Sequence, residues 1–119
     1  MSDRLKLRSE FSAVRENAEK QVSFPAVMLY IKCEPQDGNE PVKCGVICSR
    51  RFDKRAVYRN RARRLLFEAF RLIKKDLTPC RIIFIPRRSI LDLKMQDVAY
   101  QMKKMVVRAG LTGTSRKSN

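Results

Sequence analysis

The 119-residue sequence contains no histidine and no tryptophan, only four glycines, and 12 acidic residues against 27 lysines and arginines. Each shortage removes a class of function. Without histidine there is no imidazole for general acid–base catalysis, no HExxH zinc motif and no Cys/His metal site. The acids are scattered: Glu10, Glu16 and Glu19 lie near the start, Asp37 and Glu40 in mid-chain, Asp92 and Asp97 near the end, and Glu68 alone inside a long basic segment. A two-metal nuclease needs several carboxylates converging on one spot, so no catalytic residue is assigned. No glycine-rich run is present to cradle a nucleotide phosphate. Long apolar runs are missing as well. Ala26–Ile31 and Ile82–Ile85 are the longest, far short of the ~20 residues of a membrane helix. The opening MSDRLKLRSEF has no apolar signal-peptide core. The expectation is a cytoplasmic protein with neither a membrane nor a small-molecule partner.

Cysteine is present but poorly spaced for metal. Cys33, Cys44, Cys48 and Cys80 are separated by 10, 3 and 31 residues, whereas zinc sites want close pairs on tight turns. All four fall in or beside apolar strand-like runs and read as small buried hydrophobes, with no metal site. A disulfide framework is disfavoured in a cytosolic chain.

What the sequence has in excess is positive charge. The formal net charge is +15 and the pI about 10.4. The segment Arg50–Arg64, RRFDKRAVYRNRARR, sets eight cations against one Asp and carries +7 of that total. Arginine dominates it, and arginine holds phosphate bidentately and stacks on bases. Arg59, Arg61, Arg63 and Arg64 have no acid among them, so they repel one another until a polyanion arrives. Nucleic acid is the expected partner. The 44% apolar and 8% aromatic content points to a folded domain rather than a basic tail. One RNA-binding domain over residues 1–109 is expected, with 110–119 as a disordered basic tail.

The element order reads α-β-β-β-α-β-α. Ser9–Ala18 is a short helix with Ser9 as N-cap, Leu7 just before it, and Phe11, Val14 and Ala18 on one face. A short strand over Lys20–Ser23 precedes the strand Ala26–Cys33, in which Val27, Leu29, Ile31 and Cys33 form the all-apolar face. That leaves Tyr30 off the core, beside Lys32. The acidic connection Glu34–Pro41 leads to a strand over Lys43–Ser49, expected to pair antiparallel with its predecessor. A helix over Ala56–Lys75 follows. Ala62, Leu65, Leu66, Ala69, Phe70 and Ile73 recur along its core face, while Asn60, Arg64, Phe67 and Arg71 form a second stripe. Arg81–Ile85 is a buried strand, and an amphipathic helix runs from Met95 to Ala109, stopped by Gly110. The fold class is α+β, a small mixed four-stranded sheet with three helices.

These residues resemble a known family. KRAVYRNRARRLLFEAFR, preceded by CGVICSRR, is similar to the RNR signature of the bacterial ribonuclease P protein subunit. RLKLRSEFSAV, VMLYIK and RIIFIPR are similar to its N-terminal RL…F entry, central strand and last strand, so the resemblance spans roughly residues 4–106. It implies an α+β fold with a left-handed βαβ crossover, an exception to the usual handedness. It also implies assembly with a catalytic RNA that removes the 5′ leader of precursor tRNA, using Mg²⁺ bound by the RNA. Arg59, Asn60, Arg61, Arg63 and Arg64 match the signature that docks on the catalytic RNA, and Phe67 and Arg71 continue that stripe. Phe11 and Tyr30 match residues of a leader cleft, with Arg50, Arg51 and Arg55 at its basic edge. For Phe11 a core role is equally open. Arg15 stands where many relatives carry a second aromatic. A structural RNA-binding protein, such as a small ribosomal protein, is the alternative; it leaves the Arg59-Asn60-Arg61 signature unexplained.

Overall fold

The structure, a computed structural model, describes residues 4–6, 8–34 and 41–112. Its elements are α1 (Arg8–Asn17), β1 (Glu19–Val22), β2 (Ala26–Lys32), β3 (Val42–Val46), α2 (Ala56–Ile73), β4 (Cys80–Pro86) and α3 (Met95–Arg108), with short 3-10 turns at Lys74–Asp76 and Arg88–Asp92. The expected α-β-β-β-α-β-α order is what the chain adopts. Ser9 is not the cap of α1, because the helix already includes Arg8. The Lys6 N–H ahead of it donates to the Glu10 carboxylate at 2.8 Å. Leu7, most of the acidic connection (35–40) and the tail beyond Thr112 lie outside the described residues.

The four strands form one sheet in the order β1-β2-β4-β3. β1 and β2 are an antiparallel hairpin. β2 then pairs antiparallel with β4, from Ala26↔Pro86 to Lys32↔Cys80. β3 pairs parallel with β4, from Val42↔Cys80 to Val46↔Phe84. The expected antiparallel pairing of β2 with β3 is therefore wrong, since β4 lies between them. Parallel neighbours need a long crossover, and α2 supplies it. The run Ile82-Ile83-Phe84-Ile85 suits β4 to the middle of a sheet apolar on both faces.

The two faces are covered unequally. Ala26, Met28, Tyr30, Cys44, Ile82 and Phe84 face α2 and α3, joining Leu66, Phe70, Met102 and Val106 in the main core. On the other face Val14 of α1 and Leu5 of the segment before it pack with Ile83, while Phe11, Leu29, Ile31, Ile47 and Ile85 are only partly buried. This corrects the placing of Tyr30. Its ring is 6% exposed within the main core, and its hydroxyl donates to Glu19 at 3.3 Å. β2 has layers on both sides, so its wholly apolar set marked a second, smaller core rather than the only one.

Cys44 and Cys80 are buried, Cys33 and Cys48 half-buried, and all four are free thiols. Burial, assisted by the neighbouring Cys33, pushes the Cys80 thiol up to about 12. Gly110 ends α3 with φ of 75°, in the left-handed region glycine adopts without strain. Leu111 follows, wholly buried, and its carbonyl accepts the Thr78 N–H at 2.7 Å. The folded unit thus extends past the boundary expected at residue 109.

Candidate nucleic-acid interface

α2 is amphipathic twice over. Ala62, Leu66, Ala69, Phe70 and Ile73 are buried against the sheet and α3, which fixes the helix in rotation. The opposite side then presents its cations in a set order. Asn60, Arg63, Arg64, Phe67 and Arg71 line one open hollow of about 240 Å³, together with Arg4 and Glu68. Asn60, Arg61 and Arg64 border a second of about 440 Å³ with Val57 and Tyr58. Asn60 and Arg64 belong to both hollows. Arg63 donates to Asn60 Oδ1 at 3.2 Å, whereas Arg61 and Arg64 are exposed and have no hydrogen-bond or ion-pair partner among the described residues.

Not every arginine of the basic segment is presented this way. Asp53, the lone acid there, is 6% exposed and organises its neighbours. It accepts the Arg55 N–H at 2.8 Å, the Arg55 guanidinium at 3.1 Å through both oxygens, and Arg88 at 2.9 Å. Arg55 above all, then Arg88, holds the Asp53 carboxyl well below the usual carboxylate range despite its burial. Arg88 also donates to the Phe52 carbonyl at 2.9 Å, tying the turn before α2 to the turn after β4. Arg59 folds back onto the carbonyls of Asp53 and Lys54 at 3.0 and 2.8 Å. Arg55 lies over the Tyr58 ring, 4.3 Å from its centroid. Arg55 and Arg59 thus brace the start of α2 while leaving donors over.

Sequence reasoning missed Asp53, Arg88 and Arg4. A solitary acid among eight cations was a usable signal for the first. Nothing local marked Arg4, which reaches α2 because the N-terminal segment runs beside β3: Arg4 bridges to Cys44, and the Leu5 N–H donates to the Cys44 carbonyl at 2.9 Å.

Of the residues assigned to a leader cleft, Tyr30 and Arg55 are not brought to the α1 side of the sheet. Phe11 packs over β3, where a Cβ on Gly45 would lie 2.5 Å from its ring. Arg15 is exposed on α1, and Arg50 and Arg51 are exposed in the turn after β3. Arg55 belongs with α2, and Tyr30 is on the far side of the sheet. Between α1 and the sheet there is a hollow of about 250 Å³ with Leu5, Val14 and Ile31 on its floor and Glu10, Lys43 and Arg81 among its polar lining. Lys43 pairs with Glu10 at 3.2 Å.

A family model of ribonuclease P matches residues 1–110. The chain belongs to the ribonuclease P protein-component family. The ribonuclease P protein component of Xylella fastidiosa (strain 9a5c) is 32% identical over 109 residues, spanning 92% of this chain and 77% of the relative. That of Shouchella clausii (strain KSM-K16) is 31% identical over 121 residues, spanning 98% and 96%. Among solved structures, Staphylococcus aureus RNase P protein superposes with a TM-score of 0.77 at 18% identity, covering 95% of this chain and all of that one. The Thermotoga maritima RNase P protein gives 0.73 at 23%, covering 90% and 97%. These structures share the α+β fold described above. Membership of the ribonuclease P family sets aside the ribosomal-protein alternative.

Proposed function

We propose that this chain is the non-catalytic, RNA-binding subunit of a cytoplasmic ribonuclease P, and that the holoenzyme removes the 5′ leader of precursor tRNA. The observation that carries the reading is α2: one face anchored in the core, the other offering Arg61 and Arg64, without partners among the described residues, beside Arg63, Asn60 and Arg71. Rigid backing means that little ordering is needed when phosphates arrive, and guanidinium groups match phosphate oxygens bidentately. α2 is the docking element for the catalytic RNA in this reading.

The leader is assigned to the α1 side of the sheet, where the apolar covering is incomplete. Phe11 and the half-buried Leu29, Ile31 and Ile85 supply an apolar strip, and Arg15 stands exposed on α1. Arg50 and Arg51, in the turn after β3, are the cations assigned to the leader's phosphates. Single strands bind to such combinations of apolar platform and cationic rim.

The side chains on these surfaces are guanidinium, ammonium and amide groups with few carboxylates. Among the described residues no three of His, Cys, Asp or Glu come together as a cation site. In this reading Mg²⁺ belongs to the RNA, where it would supply the activated water and charge stabilisation of phosphodiester hydrolysis. The protein's cations take over part of the screening of phosphate repulsion.

The test is reconstitution. Purified protein, a bacterial ribonuclease P RNA and precursor tRNA are combined at low Mg²⁺, with protein-alone and RNA-alone controls. Processing should rise sharply only when protein and RNA are both present. Cleavage by RNA-free protein would overturn the proposal.

A further inference from the structure

Glu68 is the only acid in α2, and a surface built only to hold phosphate has no use for it. It stands one turn after Arg64, yet forms no ion pair among the described residues. Instead it lines the hollow shared by Arg4, Asn60, Arg64, Phe67 and Arg71. Within that hollow the Arg4 guanidinium lies over the Phe67 ring, its carbon 4.0 Å from the centroid. An aromatic ring capped by a guanidinium plane is a stacking platform for an unpaired base, which both groups favour through their π faces. A platform, a ring of N–H donors and one carboxylate acceptor make a receptor for a base edge as well as for a phosphate.

Resting on the docking role given to α2 above, we infer that this hollow holds one unpaired nucleobase of the partner RNA and selects guanine. Stacked on Arg4 and Phe67, guanine would direct its N1–H and N2–H donors to the two oxygens of Glu68. Adenine presents an acceptor at N1 and would leave Glu68 facing a lone pair. Uracil offers a single donor there. Asn60, Arg64 and Arg71 take the flanking phosphates or the guanine O6. The carboxylate that weakens a phosphate surface thus becomes the group that reads the base, in the way that acceptor side chains read amino groups elsewhere.

The experiment measures equilibrium binding of fluorescent pentauridylates whose central base is replaced by guanine, hypoxanthine or adenine, at fixed low salt. The full chain, Glu68→Gln and Phe67→Leu are compared, with thermal melting to check folding. Wild type should bind the guanine pentamer about tenfold more tightly than the adenine one, with hypoxanthine, which lacks the N2 amine, in between. Glu68→Gln should bring all three within about twofold while binding unsubstituted pentauridylate no less tightly than wild type, because a negative charge has been removed. Phe67→Leu, which keeps an apolar seat for Arg4, should weaken all pentamers alike. Equal wild-type affinity for the guanine and adenine pentamers, or an unchanged preference in Glu68→Gln, would overturn the inference. Binding to intact ribonuclease P RNA is measured in parallel. If that RNA binds but guanine is not preferred, the base pocket alone fails. If guanine is preferred but the RNA does not bind, the docking role of α2 fails.

Discussion

The two faces of the sheet are made from the same strands and serve different ends. Towards α2 and α3, alternate residues of β2 and β4 are sealed in a continuous core; towards α1, Ile83 is sealed while Leu29, Ile31 and Ile85 are half-covered. A sealed face turns apolar area into stability, since nearly all of it leaves water. A half-covered face gives up part of that stability and keeps apolar surface within reach of a ligand. The difference shows that a residue's neighbour in sequence can belong to a different physical problem.

Truncating adjacent residues of β4 should break the symmetry most plainly. Phe84→Ala, on the sealed face, should cost about 3–5 kcal/mol and lower the Tm accordingly. Ile85→Ala, on the α1 face, should cost well under half as much, because part of its surface is already in water. Equal losses on chemical denaturation would mean that both faces are sealed.

Asp53 comes next. Its carboxyl ionises well below the ~3.9 of an unfolded aspartate, so its pairs with Arg55 and Arg88 stabilise the fold fully above about pH 4 and are lost as pH falls further. Asp53→Asn should therefore lower the Tm at pH 7, and the gap to wild type should close as melts are run below about pH 4. A gap independent of pH would place the effect in packing rather than charge.

Gly45 probes how tightly α1 is seated. Gly45→Ala brings a Cβ to 2.5 Å from the Phe11 ring, and overpacking of this kind costs roughly 1–3 kcal/mol. Because only the far end of one side chain must move, the low end is expected, and Phe11→Leu in the same chain should recover the loss. Failure of that rescue would point to Leu5, whose Cβ is the next contact at 3.2 Å.

The smallest stability change is expected on the outer side of α2. Arg61→Ala and Arg64→Ala should leave the Tm unchanged while each lowers the salt-dependence slope of RNA binding by about 1. A fall in Tm with RNA affinity intact would invert the assignment of the helix faces.

How much of this was legible in the sequence follows from the same comparison. α2 has a core on one side and solvent on the other, so its spacing gave both stripes, and Asn60, Arg64, Phe67 and Arg71 do share a hollow. β2 has layers on both sides, and apolar alternation cannot rank two buried faces. Tyr30 was misplaced for that reason. The neighbours of β3 were illegible because β4 arrives only after the whole of α2. Arg4 was missed because its contact with Phe67 depends on that same strand order. Asp53 was legible in principle: an acid two residues before Arg55 inside a cationic run is well placed to be captured by it.

The strand order also bears on how the chain assembles. β4 is the last strand to be synthesised and the one that joins the sheet, pairing with β2 on one side and β3 on the other. Until Pro86 is available to meet Ala26, β1 and β2 are a lone hairpin, β3 has only the short Arg4–Leu5 segment beside it, and the apolar stripe of α2 has no complete sheet to cover. Contacts so distant along the chain close slowly. Assembly of both faces therefore waits on a single seven-residue segment, and a chain ending before it would hold every cation of the α2 surface but no sheet to set them in order.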